Sequence, residues 1–117
     1  MVSKFEFSGD TLGIMIKSDL NDAVFREMQV IIKEKISEYG KINLFIEVEK
    51  GRHIDLIPLM KHLKFEIGND KHLKKVAVVT DKEWFKNVLL VKDLIMNADI
   101  EVFTTGDRMK AISWIAE

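Results

Sequence analysis

The chain has 117 residues, of which 47% are apolar and 32% charged, with a formal net charge of −1. This length and composition predict one compact domain spanning residues 1–117 and exclude a disordered or low-complexity protein. The sequence has no cysteine, which excludes disulfides and thiolate sites and favours a reducing cytoplasm. It also has no apolar stretch of about eighteen residues, so we expect no signal peptide and no transmembrane segment.

The first half of the chain predicts a hairpin, a helix and a strand. Apolar and polar residues alternate over residues 4–7 and 11–17 around the turn-forming sequence SGD, which is typical of two antiparallel strands. From residue 19 to 39 apolar residues recur at helical spacing, with acids near the start and Gly40 after the end, so a long amphipathic helix is predicted. Residues 42–48 are largely apolar on both faces, which indicates a central strand of a parallel sheet.

The second half alternates helices with strands. A helix is predicted over residues 54–67, with Pro58 in its first turn, and a buried strand over 75–80. The sequence TDKE from Thr80 to Glu83 has the spacing of a capping box, in which the two side chains hydrogen-bond to free amides at a helix start. A helix over 82–96, a strand over 99–103 and a last helix over 108–116 complete the order ββαβαβαβα.

This order predicts an α/β fold. Strands that alternate with helices are typical of parallel sheets with right-handed crossovers, and the helices cover the sheet. We therefore expect a mixed five-stranded sheet, mostly parallel but with an antiparallel N-terminal hairpin, and four helices.

Catalytic and metal-binding patterns are absent from the sequence. It contains no phosphate-binding loop, dinucleotide fingerprint, nucleophile elbow or zinc-binding helix motif. The histidines at positions 53, 62 and 72 are spaced so that no two lie on adjacent turns of one helix face, and His62 is predicted on a solvated helix flank. We predict a non-enzymatic protein with no catalytic residue, no metal and no cofactor.

Charge is distributed unevenly along the chain. The segment from Lys50 to Lys75, the basic segment, has seven cations and three anions, a net of plus four, whereas the rest has 11 cations and 16 anions, a net of minus five. The segment either attracts an anionic partner, such as a phosphorylated ligand, an acidic protein face or a lipid surface, or is a solvated helix flank. Nucleic acid is not a predicted partner, because the total charge is not positive and aromatics do not interleave with the cations.

Candidate binding residues lie in the loop after the third strand and in the two helices that follow. The loop is either an anion-facing site or an ordinary connection. The helix after it mixes apolar and cationic side chains, which suits an amphipathic ligand or a membrane surface. Trp84 follows the end of a strand, where it lines a pocket or packs in the core. The candidates are Lys50, Gly51, Arg52, His53, Asp55, Met60, Lys61, Lys64 and Trp84.

Three stretches carry a family resemblance: SGDTLGIMIKSDL, KVAVVTDKEW and the ending VFTTGDRMKAISWIAE. Over nearly its whole length the chain resembles the SpoIIAA-like family, relatives of the STAS domains of anti-sigma-factor antagonists and sulfate transporters. The resemblance implies the same mixed five-stranded sheet with four helices. It also implies small-molecule or lipid binding, peripheral membrane association and homodimers.

The resemblance raises the question of a phosphorylation switch. In the STAS antagonists a kinase modifies a serine or threonine at the start of the helix after the third strand. Between Ser37 and Thr80 only Tyr39 carries a hydroxyl, so that switch is not expected here. Asp55 is either a permanently charged substitute for the phosphorylated residue or a helix cap. Two functions stay open: binding of an amphipathic or anionic ligand or membrane, and STAS-type regulation of a protein partner without phosphorylation.

Overall fold

The computed structural model describes residues 2–5, 7, 9–51, 58, 59, 61, 62, 72–81 and 98–117. The strands in these residues are β1 (Val2–Phe5), β2 (Thr11–Ile16), β3 (Ile42–Val48), β4 (Leu73–Thr80) and β5 (Asp99–Thr104). The complete helices are α1 (Asp22–Tyr39) and α2 (Arg108–Ala116), and a short 3-10 helix, Thr105–Asp107, precedes α2.

The strands form one mixed sheet in the order β1-β2-β3-β4-β5. β1 pairs with β2 in the antiparallel direction, and the remaining neighbours are parallel. β3 is the middle strand, and all seven of its residues are buried. The predicted mixed five-stranded sheet, its antiparallel hairpin and its central third strand are confirmed.

The predicted set of four helices is only partly matched. The described residues contain two complete helices, so the elements with full bounds have the order ββαβββα instead of ββαβαβαβα. The helix predicted over 54–67 is described only at residues 58, 59, 61 and 62, which are helical. The helix predicted over 82–96 lies outside the described residues.

The start of α1 is set by an asparagine. The side-chain Oδ1 of Asn21 accepts a hydrogen bond from the backbone N–H of Val24 at 3.0 Å, which satisfies one of the free amides of the first turn. The helix therefore begins at Asp22, three residues later than predicted. It ends at Gly40, as predicted, where the Gly40 N–H donates to the carbonyl of Ile36 at 2.7 Å.

The sheet has a core on each side. The α1 face carries the larger core, in which alternate apolar residues of β2 to β5 pack against α1 and against the buried Leu59. The opposite face, the α2 face, carries a smaller core. Its buried members are Phe45, Ala77, Val79, Ala111 and Ile115, with Phe5, Phe7, Phe103, Ile112 and Trp114 packed around them.

The strand order determines what lies on each face. Strands β2 to β5 follow one another across the sheet in chain order and in parallel, so right-handed crossovers between them all lie on one face. Both α1 and Leu59 belong to the core of that face. Since the order of these strands never reverses, their carboxyl ends do not form the crevice that a doubly wound sheet uses for ligands. A site at this edge must therefore be formed by side chains and turns.

Candidate functional site

The turn after β3 projects from the carboxyl end of the central strand. The N–H of Glu49 donates to the carbonyl of Ile16 at 3.0 Å, which fastens the start of the turn to β2. Lys50 and Gly51 are exposed, and Gly51 has a φ of 89°, a conformation that L-residues rarely adopt. The hydrogen bond fixes the start of this turn, Glu49–Gly51, and Lys50 is displayed to solvent.

The structure tests the candidate binding residues unevenly. Lys50 and Gly51 lie in the turn, and Lys61 is an exposed residue in a helical stretch. The other candidates lie outside the described residues: Arg52, His53, Asp55, Met60, Lys64 and Trp84. A binding role for any of these residues stays a prediction.

Three described cations of the basic segment do not share one end of the sheet. Lys74 pairs with Asp10, and the Nζ of Lys75 donates to the carbonyls of Trp114 at 3.2 Å and Glu117 at 3.1 Å. Both lysines lie near the amino end of β4, whereas Lys50 follows the carboxyl end of the parallel β3. A strand advances roughly 3.3 Å per residue, so about 20 Å separates Lys50 from Lys75 along the sheet.

His62 is not the solvated side chain that was predicted. It is half-buried, and its ring stacks on Phe25 of α1 with the centroids 3.8 Å apart and an angle of 6° between the planes. The contact joins the described part of the helix predicted over 54–67 to α1. No sequence pattern shows that a histidine on one helix will stack on an aromatic residue of another, so this contact could not be predicted.

A buried carboxylate and an arginine meet at the carboxyl end of the sheet. Glu47 of β3 is only 7% exposed, and its Oε1 accepts a hydrogen bond from the Nε of Arg108 at 2.6 Å. The guanidinium carbon of Arg108 lies 5.5 Å from the ring centroid of Phe5. This pair was not among the sequence predictions. The one sequence feature that points to it is Glu47, an acid near the end of an otherwise apolar strand.

Three polar side chains of the α2 face contact α2. Besides Glu47, these are Asn43, whose Nδ2 lies 3.5 Å from the carbonyl of Ile115, and Lys75, which caps the last turn and lies 5.2 Å from the ring centroid of Trp114. α2 has no side-chain cap at its start and buries only Ala111 and Ile115 fully. Its position therefore depends on these polar contacts as well as on apolar packing.

The role of Lys75 can be tested directly. We expect Lys75→Met, which keeps the aliphatic stem but removes the ammonium, to lower the free energy of unfolding by about 1–2 kcal/mol, because two carbonyls lose a charged donor. Amide hydrogen exchange in the last turn of α2 should accelerate. Lys74→Met is the matched control and should cost under about 1 kcal/mol, since its ion pair is half exposed. Equal effects of the two substitutions would contradict this role.

Hydroxyl groups lie at the ends of β4 and β5. Thr80 is fully buried, and its Oγ1 has no hydrogen-bond partner among the described residues. The helix start that Thr80 was predicted to cap lies outside those residues. The next residue, Asp81, accepts a hydrogen bond from Thr105 Oγ1 at 3.2 Å. This bond ties the end of β4 to the 3-10 helix that precedes α2.

Among the described residues there is no group of three or more histidine or acidic side chains that could hold a metal, and no helix there is long and apolar enough to cross a membrane. An open groove of about 680 Å³ follows the exposed side of α1, with lining residues that include Ala23, Val24, Arg26 and Val30. It is a surface depression with apolar and charged walls.

The family comparison agrees with the fold. Comparison with curated proteins and with solved structures gave no match. A family model described as SpoIIAA-like matches residues 11–116, which include β2 to β5 and both described helices. The chain belongs to the SpoIIAA-like family.

Proposed function

We propose that this SpoIIAA-like domain is a non-enzymatic regulator that binds a protein partner without a phosphorylation switch. The turn Glu49–Gly51 carries this proposal. It is exposed at the carboxyl end of the central strand, and a backbone hydrogen bond fastens it to β2. A backbone bond already fixes the start of the turn, so a protein surface can recognise it with a smaller loss of conformational entropy than a turn without such a bond.

The positions of Lys50, Lys74 and Lys75, among the described cations of the basic segment, favour a protein partner over a flat anionic membrane. Lys74 and Lys75 are engaged by groups of the chain itself, and they lie about 20 Å from Lys50 along the sheet. Adsorption to an anionic surface needs several cations within reach of the same plane. Recognition of a protein needs only one turn and the side chains near it.

Site-specific photo-crosslinking tests the proposal. With a photoreactive amino acid at position 50, we expect one adduct of defined mass in cells, and none with the same probe at Lys33, an exposed residue of α1. The partner so identified should bind the purified domain, and Lys50→Glu should weaken binding by about tenfold or more, because a rim charge is reversed. No adduct at position 50, or equal binding of Lys50→Glu, would argue against the proposal.

Gly51→Ala tests the shape of the turn. Its φ of 89° strains any L-residue, and nothing lies within 4 Å of the position of the added methyl, so the effect is conformational alone. We expect a cost of about 1 kcal/mol in the free energy of unfolding, measured in urea, and weaker partner binding. Gly106→Ala is the control, because Gly106 has ordinary φ and its added methyl would meet its nearest atom, Thr104 Oγ1, at 3.9 Å. If Gly51→Ala lowers the free energy of unfolding no more than Gly106→Ala does, the backbone of the turn can change conformation without cost.

The groove on α1 favours a second candidate function, the binding of an amphipathic or anionic ligand or lipid. Ala23, Val24 and Val30 supply apolar walls and Arg26 a cation. If this function holds, native mass spectrometry of the purified protein should show a bound lipid, and the domain should float with vesicles containing phosphatidylserine in a salt-sensitive manner. Arg26→Gln should reduce both signals, and their absence in the parent protein would exclude this candidate.

The oligomeric state and location of the protein stay predictions. A homodimer is expected from the family resemblance, and light scattering coupled to size-exclusion chromatography would measure its mass. A cytoplasmic location, with or without peripheral membrane contact, is expected from the lack of cysteine.

A further inference from the structure

We propose that Arg108 anchors an oxyanion-binding site at the carboxyl end of β3, and that this site takes a carboxylate or phosphate group. The site goes beyond the proposed function, since it concerns a side chain at the start of α2 and not the turn Glu49–Gly51. Its residues are Arg108 as the anion-binding group, with Glu47 and Phe5 as positioning residues.

The guanidinium of Arg108 is held from two directions. Glu47 accepts the hydrogen bond from Nε at 2.6 Å, and Phe5 lies against the guanidinium, with 5.5 Å between the ring centroid and Cζ. A charge-assisted hydrogen bond of this length fixes the edge of the planar group, and the aromatic ring orients its plane. Arg108 is therefore pre-organised, unlike a free surface arginine.

The terminal end of the guanidinium remains suited to a ligand. Arginine has five N–H donors, and the bond to Glu47 uses the one on Nε, so the four on the two Nη atoms are not needed for it. The Arg108 side chain is 38% exposed. The two Nη atoms form a fork that matches the two oxygens of a carboxylate or phosphate. Because Glu47 is bound by the Nε–H, an anion at the two Nη atoms would use a different edge of the guanidinium.

The burial of Glu47 favours a positioning role. Its side chain is only 9% exposed, and an acid inside a sheet is costly unless a cation pairs with it. If the pair served only to fasten α2, an apolar contact would do so at lower cost. A buried carboxylate that orients an arginine is instead a common way of keeping that arginine ready for an anion.

Charges of both signs lie at this edge among the described residues. Asp107 lies 3.8 Å from Lys110, and Lys17 and Lys50 follow the carboxyl ends of β2 and β3. Asp81 and Glu49 place carboxylates at the same edge. The affinity for an anion must therefore come from the fixed guanidinium of Arg108 and not from an overall positive field.

Titration of the whole chain with acetate and with inorganic phosphate, at constant ionic strength, tests the site. The Nε–Hε resonance of Arg108 is followed by NMR, and the side-chain resonances of Lys33, exposed on α1 and not among the residues that line the groove, are the control within the same molecule. We expect the Arg108 resonance to shift and saturate at an anion concentration roughly tenfold lower than that for Lys33, because pre-organisation lowers the cost of binding. The stronger of the two probes identifies the oxyanion.

Variants separate anion binding from a purely structural role. Arg108→Lys keeps the charge but loses the fork, so binding should weaken by about tenfold, whereas Lys41→Gln, at the exposed amino end of β3, should leave it unchanged. If Arg108→Lys does not fold, Phe5→Leu should still weaken binding by removing the ring. Equal saturation of Arg108 and Lys33 in the parent protein would overturn the proposal. Because no partner protein is present, that result would leave the crosslinking test at position 50 unaffected.

Discussion

Phe45→Ala should lower the free energy of unfolding by about 3–5 kcal/mol, the largest single effect we expect in this domain. Phe45 lies at the centre of β3 and is fully buried on the α2 face. Its ring centroid is 6.0 Å from that of Phe5 and 5.4 Å from that of Phe7. Truncation would remove the ring, leave a cavity between the sheet and α2, and remove both aromatic contacts. Urea denaturation followed by circular dichroism measures the loss.

Two controls show whether burial is the cause. Phe45→Leu refills most of the space and should cost clearly less than the alanine variant. Val30→Ala removes apolar atoms from a side chain that is 59% exposed, so its effect should stay within about 0.5 kcal/mol. A loss below about 1 kcal/mol for Phe45→Ala would mean that the hairpin aromatics are not part of the stable core.

Local sequence patterns predicted the regular elements best. The strand Ile42–Val48 and the helix Arg108–Ala116 have the predicted bounds. Both have strong signals, since the strand is an apolar run and the helix buries residues at helical spacing. The predicted bounds differ more at chain segments with weak periodicity. The first strand is Val2–Phe5, not residues 4–7, and α1 begins one residue after its Asn21 cap.

The candidate site depended on contacts that no local pattern encodes. Glu47 and Arg108 are 61 residues apart in sequence and meet because α2 returns across the face of the sheet. The same return brings Lys75 to the end of α2, so a lysine that counted toward a basic surface serves as a helix cap. Charge counted along the chain therefore does not show which cations share a surface, because the fold places Lys50 and Lys75 at opposite ends of the sheet.

Gly13→Ala should destabilise the domain by about 2–3 kcal/mol, the second of the large effects. Gly13 is a buried residue of β2 that pairs with Phe5 of β1 and Phe45 of β3. A methyl group there would lie 2.6 Å from the Cβ of Phe5 and 2.6 Å from Cε2 of Phe7, closer than carbon atoms can approach. The ring of Phe7 can rotate, but Phe5 Cβ is fixed to the backbone, so the hairpin itself must shift.

A double variant distinguishes this overpacking from a general intolerance of β2 to substitution. Phe7→Ala removes one of the two clashing groups, so Gly13→Ala should cost less in that background, with a coupling energy of about 1 kcal/mol in a double-mutant cycle. Part of the cost should remain, since Phe5 Cβ is still in place. Additive effects of the two substitutions would mean that the ring of Phe7 does not lie over Gly13 in solution. The rings of Phe5, Phe7 and Phe45 would then pack more loosely than they do in the structure.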